Sequence, residues 1–101
     1  MNNREKALNL LGMATRAGKI VSGEGLVLQD IRARKVQLVL LAEDASANTR
    51  KKLTDKCSHY QIPCYSLFTQ TEISQAIGKT RMVCGVKDKG FAEKLRELIS
   101  S

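Results

Sequence analysis

Residues 18–44, Gly-Lys-Ile-Val-Ser-Gly-Glu-Gly-Leu-Val-Leu-Gln-Asp-Ile-Arg-Ala-Arg-Lys-Val-Gln-Leu-Val-Leu-Leu-Ala-Glu-Asp, decide the fold. They predict a short strand over Lys19–Ser22, a helix opening at the glycine pair Gly23 and Gly25, and a strand over Leu38–Ala42. In the helix, Leu26, Val27 (or Leu28) and Ile31 make the inward face, with Gln29, Asp30, Arg32 and Arg34 outside. The unbroken apolar run Leu38–Ala42 suits a central strand covered by helices on both faces. A helix whose first turn is flanked by glycine can bring backbone N–H groups against phosphates or base edges.

The same alternation extends to both sides. Ala7, Leu8, Leu10, Leu11 and Ala14 recur at helical spacing, predicting a helix over residues 3–16 that ends at Gly18. After Asp44, Ser46 or Asn48 can cap a helix over 47–60 in which Leu53, Cys57 and Tyr60 share a face. Ile62–Leu67 reads as a strand, with Pro63 near its start, where the missing N–H costs least. Thr69 and Thr71 open a short helix to Ile77, stopped by Gly78. Arg81–Val86 is a further strand, and a last helix runs from Gly90 through Leu95, Leu98 and Ile99. Alternating helices and strands imply an α/β single domain, a three-layer α/β/α sandwich around a central mixed sheet.

A chain of 101 residues, 43% of them apolar, suits one domain over 1–101 with its own core. Three cysteines are an odd number, against a closed disulfide framework and in keeping with a reducing compartment. No run is long enough to span a bilayer, and Met1–Lys6 lacks the apolar core of a secretory signal. The expected location is therefore cytoplasmic, with no membrane partner. Lys and Arg number 17 against 10 Asp and Glu, a formal charge of +7, which favours polyanionic partners such as RNA.

Enzymatic motifs are approached and not met. Gly23-Glu24-Gly25 has Leu28 where a dinucleotide-binding fingerprint needs its third glycine. Gly78-Lys79-Thr80 resembles the tail of a P-loop, but it precedes a strand, and Ile73 stands where the first glycine belongs. Cys57, His59, Cys64 and Cys84 lack metal-ligand spacing, and no base, nucleophile or paired carboxylates form a catalytic set. No enzyme, metal or cofactor is expected. The basic residues are better placed. Lys19 precedes the glycine-opened helix, Arg32, Arg34 and Lys35 follow along it, and Lys79 and Arg81 flank the turn after Gly78. Arg50-Lys51-Lys52, with Asp55 nearby, reads as a solvated helix face.

Lys19-Ile20 and Gly23 before the second helix, the strand Leu38–Ala42 with its acidic end Glu43-Asp44, Asn48, Ile62-Pro63, and Ala76-Ile77-Gly78 before the last strand together carry a resemblance. The chain resembles the ribosomal-protein family that binds RNA kink-turns, the archaeal L-seven-Ae and eukaryotic L-thirty-e kind, and within it the bacterial YlxQ-type branch. The resemblance implies a non-enzymatic role in translation or ribosome assembly. The start of the second helix would enter the widened groove of a kinked duplex, and the loop before the last strand would pack on exposed nucleotides. It maps RNA contacts onto Lys19, Gly23, Gly25 and Gln29, with Glu24 between them at a variable position, and onto the loop Gly78, Lys79, Thr80 and Arg81; Arg32, farther along the basic helix, completes the candidate set. Gly25, Leu26 and Gln29 stand where the family usually has Asn, Glu and Lys, which implies recognition weighted toward phosphates and shape. Implied partners are structured RNA (rRNA or a kink-turn) and, with it, ribosomal proteins or translation factors. A monomer is expected rather than a homodimer. The alternative is a ribosome- or translation-factor-associated interaction module without direct sequence-specific RNA contact.

Overall fold

The computed structural model describes residues 1–100. Five helices and four strands alternate: α1 (Asn3–Arg16), β1 (Ile20–Ser22), α2 (Glu24–Arg32), β2 (Leu38–Leu41), α3 (Ala47–His59), β3 (Cys64–Tyr65), α4 (Gln70–Ile77), β4 (Val83–Val86) and α5 (Lys89–Ser100). The sheet order is β1-β4-β2-β3. β4 is antiparallel to both β1 and β2, and β3 is parallel to β2, so the sheet is mixed as expected.

Side chains of β2 alternate between two cores. Leu38 and Leu40, with Ala42 just beyond the strand, join Ala7 and Leu11 of α1, Ile73 and Ile77 of α4, and Leu95 of α5. Val39 and Leu41 face the other way, onto Val27 and Ile31 of α2 and Leu53 and Cys57 of α3. Every residue of β2 and β4 is buried, as a strand covered on both faces must be. At the centre, Gly85 pairs with Val21 on one side and Val39 on the other. A Cβ there would stand 3.1 Å from methyl carbons of Val21 and Val36. Glycine is what lets these two valines close over the sheet.

Three of the expected elements are adjusted. Leu26 does not join the inward face of α2: it is 58% exposed, and Val27 and Ile31, one turn apart, take the buried positions. The expected strand over 62–67 shrinks to Cys64–Tyr65 at the sheet edge, where the partner strand offers its ladder on one side only. The strand over 81–86 begins at Val83, because the Arg81 backbone is bonded to a side chain instead. Helix caps follow the sequence closely. Ser46 caps α3 through the Thr49 N–H, and Thr69 with Glu72 forms a reciprocal capping box on α4. Asp88 accepts from the Phe91 N–H and opens α5 one residue before Gly90.

The register gives the molecule two ends. β1, β2 and β3 finish at a front end, where β4 starts and where α2, α3 and α4 begin. The rear end holds the starts of β1, β2 and β3, the finish of β4 and the start of α5.

Candidate nucleic-acid interface

The front end is built around the opening of α2. Gly23 is its N-cap at φ 96°, a backbone conformation that side-chain-bearing residues rarely adopt, and no side chain caps the helix there. The first N–H groups of a helix have no intrahelical partner, so this mouth carries donors and the positive end of a macrodipole. Gly25, Gln29 and Arg32 follow at helical spacing on an outward face, all exposed, reaching about 10 Å along the axis. Leu26 stands beside them, also exposed.

The loop after α4 closes on this mouth. Gly78 ends α4 in the left-handed conformation, φ 80°, and its N–H donates to the Ser74 carbonyl. The Ser74 hydroxyl then clamps Arg81. Its oxygen accepts from the Arg81 N–H at 3.0 Å, and it donates to the Arg81 carbonyl at 3.3 Å. Arg81 Nη1 donates to the Thr80 carbonyl at 2.8 Å, which holds the guanidinium along its own loop. The side chain so held passes over Gly23: a Cβ on that glycine would lie 3.7 Å from Arg81 Nε and 3.9 Å from its Cδ. Lys79 and Thr80 are exposed at the loop tip. Gly23, Gly78 and Arg81 are thus parts of one surface. Glu24, in the first turn of α2, is met by Lys52 Nζ at 3.5 Å, so its charge is balanced from α3.

Lys19 is not part of this surface. It sits before β1, and its carbonyl accepts from the Lys87 N–H at 2.8 Å, at the rear end. Four residues of extended chain, roughly 13 Å, separate it from Gly23. Sequence proximity to the helix start was misleading because β1 runs between them.

Two residues that sequence reasoning did not assign shape the site. Ser74 is an unremarked position in an amphipathic helix, and nothing in its spacing points to its role. Lys52 lies in the basic run of α3, whose reading as a solvated face is right for Lys51 and wrong for Arg50. Arg50 Nη1 donates to Ser66 Oγ at 2.8 Å, and Nη2 donates to the carbonyls of Ala42 and Glu43 at 3.3 and 2.6 Å. Those carbonyls leave the end of β2, beyond the sheet ladder, and a guanidinium with several donors can satisfy them together.

Among the described residues, no three metal-ligating side chains cluster. All three cysteines are free thiols. Burial pushes Cys84 up to about 12, and a hydrogen bond to Cys64 together with burial raises Cys57. His59 makes an edge contact with the Tyr60 ring, centroids 4.9 Å apart. No helix among the described residues is long and apolar enough to cross a membrane.

Residues 5–96 match the model of the family described as "Ribosomal protein L7Ae/L30e/S12e/Gadd45 family". A relative from Enterococcus faecium named "RNA-binding protein YlxQ" is 55% identical over 97 residues, covering 96% of this chain and 94% of its own. A Bacillus subtilis protein of the same name is 50% identical over 91 residues, covering 89% of this chain and 91% of its own. Among solved structures, a Bacillus halodurans protein described as of unknown function superposes with a TM-score of 0.92 at 45% identity, over 95% of this chain and 98% of that one. The Giardia lamblia 15.5kD RNA binding protein shares the fold, with a TM-score of 0.83 at 18% identity, over 97% of this chain and 85% of that one. By the family match over nearly its whole length and by these bacterial relatives, the chain belongs to the L7Ae/L30e/S12e/Gadd45 family of ribosomal proteins, in its YlxQ-type branch.

Proposed function

We propose that this chain is a non-enzymatic RNA-binding protein that seats a bent RNA element, of the kink-turn kind, on its front end during translation or ribosome assembly. The observation that carries this reading is the Arg81 side chain lying over the uncapped glycine mouth of α2. The names of the Enterococcus and Bacillus subtilis relatives supply the ligand class.

Each part has a role. Gly23 and Gly25 add no side chain of their own to the helix mouth, so backbone donors beside Arg81 can reach a phosphate or base edge. Lys79 and Arg81 meet phosphates on one side of that mouth, with Gly78 and Thr80 shaping the loop. Gln29 and Arg32 continue the contact along α2. Glu24, held by Lys52, contributes little net charge of its own. A regular A-form duplex hides its base edges in a deep, narrow groove, so a helix end of this kind needs a bend that widens the groove.

The test compares a kink-turn RNA with a straight duplex of equal length over a salt series. Tighter binding of the kinked RNA at every salt concentration is expected. Equal, weak binding of both would overturn the reading. Failure to bind either RNA, with capture by a ribosomal protein, would replace it with the interaction-module alternative.

A further inference from the structure

We propose that the rear end of the sheet is a second phosphate-binding face, which takes the backbone of an RNA segment other than the one seated at the front. This rests on the RNA-binding reading but not on a preference for kinked RNA.

The rear end gathers six cations that form no ion pair among the described residues. The Lys87 N–H donates to the Lys19 carbonyl at 2.8 Å, and the Gln37 N–H donates to the Val86 carbonyl at 2.8 Å. These bonds set the turns entering β1, leaving β4 and entering β2 side by side. Arg34 and Lys35 occupy the turn before β2, and Arg96 of α5 shares with Arg34, Gln37, Tyr60 and Gln61 an open cavity of about 480 Å³. The Arg34 guanidinium lies 5.1 Å over the Tyr60 ring at its wall. Beside Lys19, Arg34, Lys35, Lys87, Lys89 and Arg96 in the chain stand Asp30, Asp88, Glu93 and Glu97; Glu93 and Glu97 line a second cavity with Arg96, and Glu97 also pairs with Lys94. Asp88 already accepts from the Phe91 N–H. None of the six cations makes an ion pair among the described residues; the pairs that form use Arg4, Lys51, Lys52 and Lys94.

The front end is different. Arg4, Arg50 and Lys52 are tied to other groups of the protein and Arg81 bonds the Thr80 carbonyl, which leaves Lys79 and, along α2, Arg32 as exposed cations without an ion pair among the described residues. Six cations without an ion pair among the described residues therefore gather at the end away from the helix mouth.

Helix dipoles do not account for this. Arg34 and Lys35 follow the C-terminus of α2, where a cation is favoured for stability alone. Lys87 and Lys89 flank the N-terminus of α5, where a cation is disfavoured. Their placement costs the helix something, and phosphates across them would reverse the sign. The molecule measures 33 × 26 × 25 Å, so its two ends address separate stretches of RNA rather than neighbouring phosphates of one strand.

The probe is a straight RNA duplex, and the protein is the full chain. The variant Lys19→Gln/Lys35→Gln/Lys87→Gln alters three exposed side chains that have no ion pair or side-chain hydrogen bond among the described residues. Its slope of log affinity against log salt is expected to fall by about two to three units, near one for each lost phosphate contact. The matching triple Lys→Arg variant should keep the wild-type slope. Addition of the duplex to protein saturated with kink-turn RNA should give a ternary complex that the Gln variant loses. An unchanged slope in a folded Gln variant, checked by circular dichroism, would overturn the proposal, and so would competition between duplex and kink-turn RNA in place of a ternary complex. Loss of kink preference with the slope change intact would sink only the front-end reading.

Discussion

Gln61 sits at φ 57° immediately after α3, in a conformation that costs a residue with a Cβ and is nearly free for glycine. Its N–H donates to the Ser58 carbonyl and the Ile62 N–H to the Cys57 carbonyl, the paired bonds of a Schellman ending. The same pair closes α1 at Gly18 (φ 72°) and α2 at Arg34 (φ 57°). One of the three helices thus uses the expected glycine, and two use residues that no helix-stop rule selects. The Gly18 ending was legible in the sequence for this reason, and the endings at Arg34 and Gln61 were not. Arg34 has a compensating contact in the Tyr60 ring, whereas Gln61 is exposed and makes no side-chain bond among the described residues. Gln61→Gly should therefore stabilise the protein by about 0.5–1 kcal/mol, the relief of left-handed strain less the extra freedom glycine gives the unfolded chain. Chemical denaturation at constant m would register it as a higher midpoint; a lower midpoint would show that the Gln61 side chain contributes where no contact is apparent.

Packing of α1 against α4 rests on a charged fork as well as on apolar burial. Arg4 Nε donates to Glu72 Oε2 at 2.9 Å, Nη2 donates to Glu72 Oε1, and Nη1 donates to the Leu67 carbonyl at 2.8 Å. The same Glu72 accepts from the Thr69 N–H and so caps its own helix. The capping pattern Thr69-x-x-Glu72 was visible in the chain; the reach of Arg4 across 68 residues was not, because only the packed layers bring α1 and α4 together. Arg4 holds the Glu72 carboxyl below its ordinary 4.5, chiefly through their hydrogen bond. A carboxyl depressed in the folded state stabilises above its ordinary value, and that contribution is lost as pH falls through the folded one. Wild-type stability should accordingly drop on acidification below about pH 4.5 more steeply than that of Glu72→Gln. At neutral pH Glu72→Gln should cost about 1 kcal/mol or less, since both side chains are partly exposed and Gln can still serve the capping box. Glu72→Ala removes both roles and should cost more. Parallel pH profiles for the wild type and the Gln variant would assign the depressed carboxyl to some other contact.

At the scale of the whole molecule, the layers were legible because the apolar run of β2 and the amphipathic helices around it leave few other ways to bury their faces. The distribution of charge was not legible. Lys19 and Arg81 both border glycine-marked turns, and both read as neighbours of the α2 mouth. Antiparallel pairing of β1 with β4 sets Ile20 against Val86 and Ser22 against Cys84, which sends Lys19 to the rear while Arg81 stays at the front. Strand order and direction decide this, and neither is written in local periodicity. The consequence can be measured as a ratio. If the front end reads a bend, losing a cation there should weaken the kinked RNA more than the straight duplex, since only the kinked RNA brings its phosphates and opened groove to Arg81. Losing a rear cation should weaken both by the same factor, since that end meets backbone alone. Arg81→Ala should thus lower the ratio of kinked to straight affinity by about 1 kcal/mol or more, roughly fivefold, with Gly23 and the α2 mouth left in place. Lys19→Ala should lower both affinities together and leave the ratio unchanged. Ratios that fell equally in the two variants would mean that the ends of the sheet act as one continuous surface, against the separation their strand register imposes.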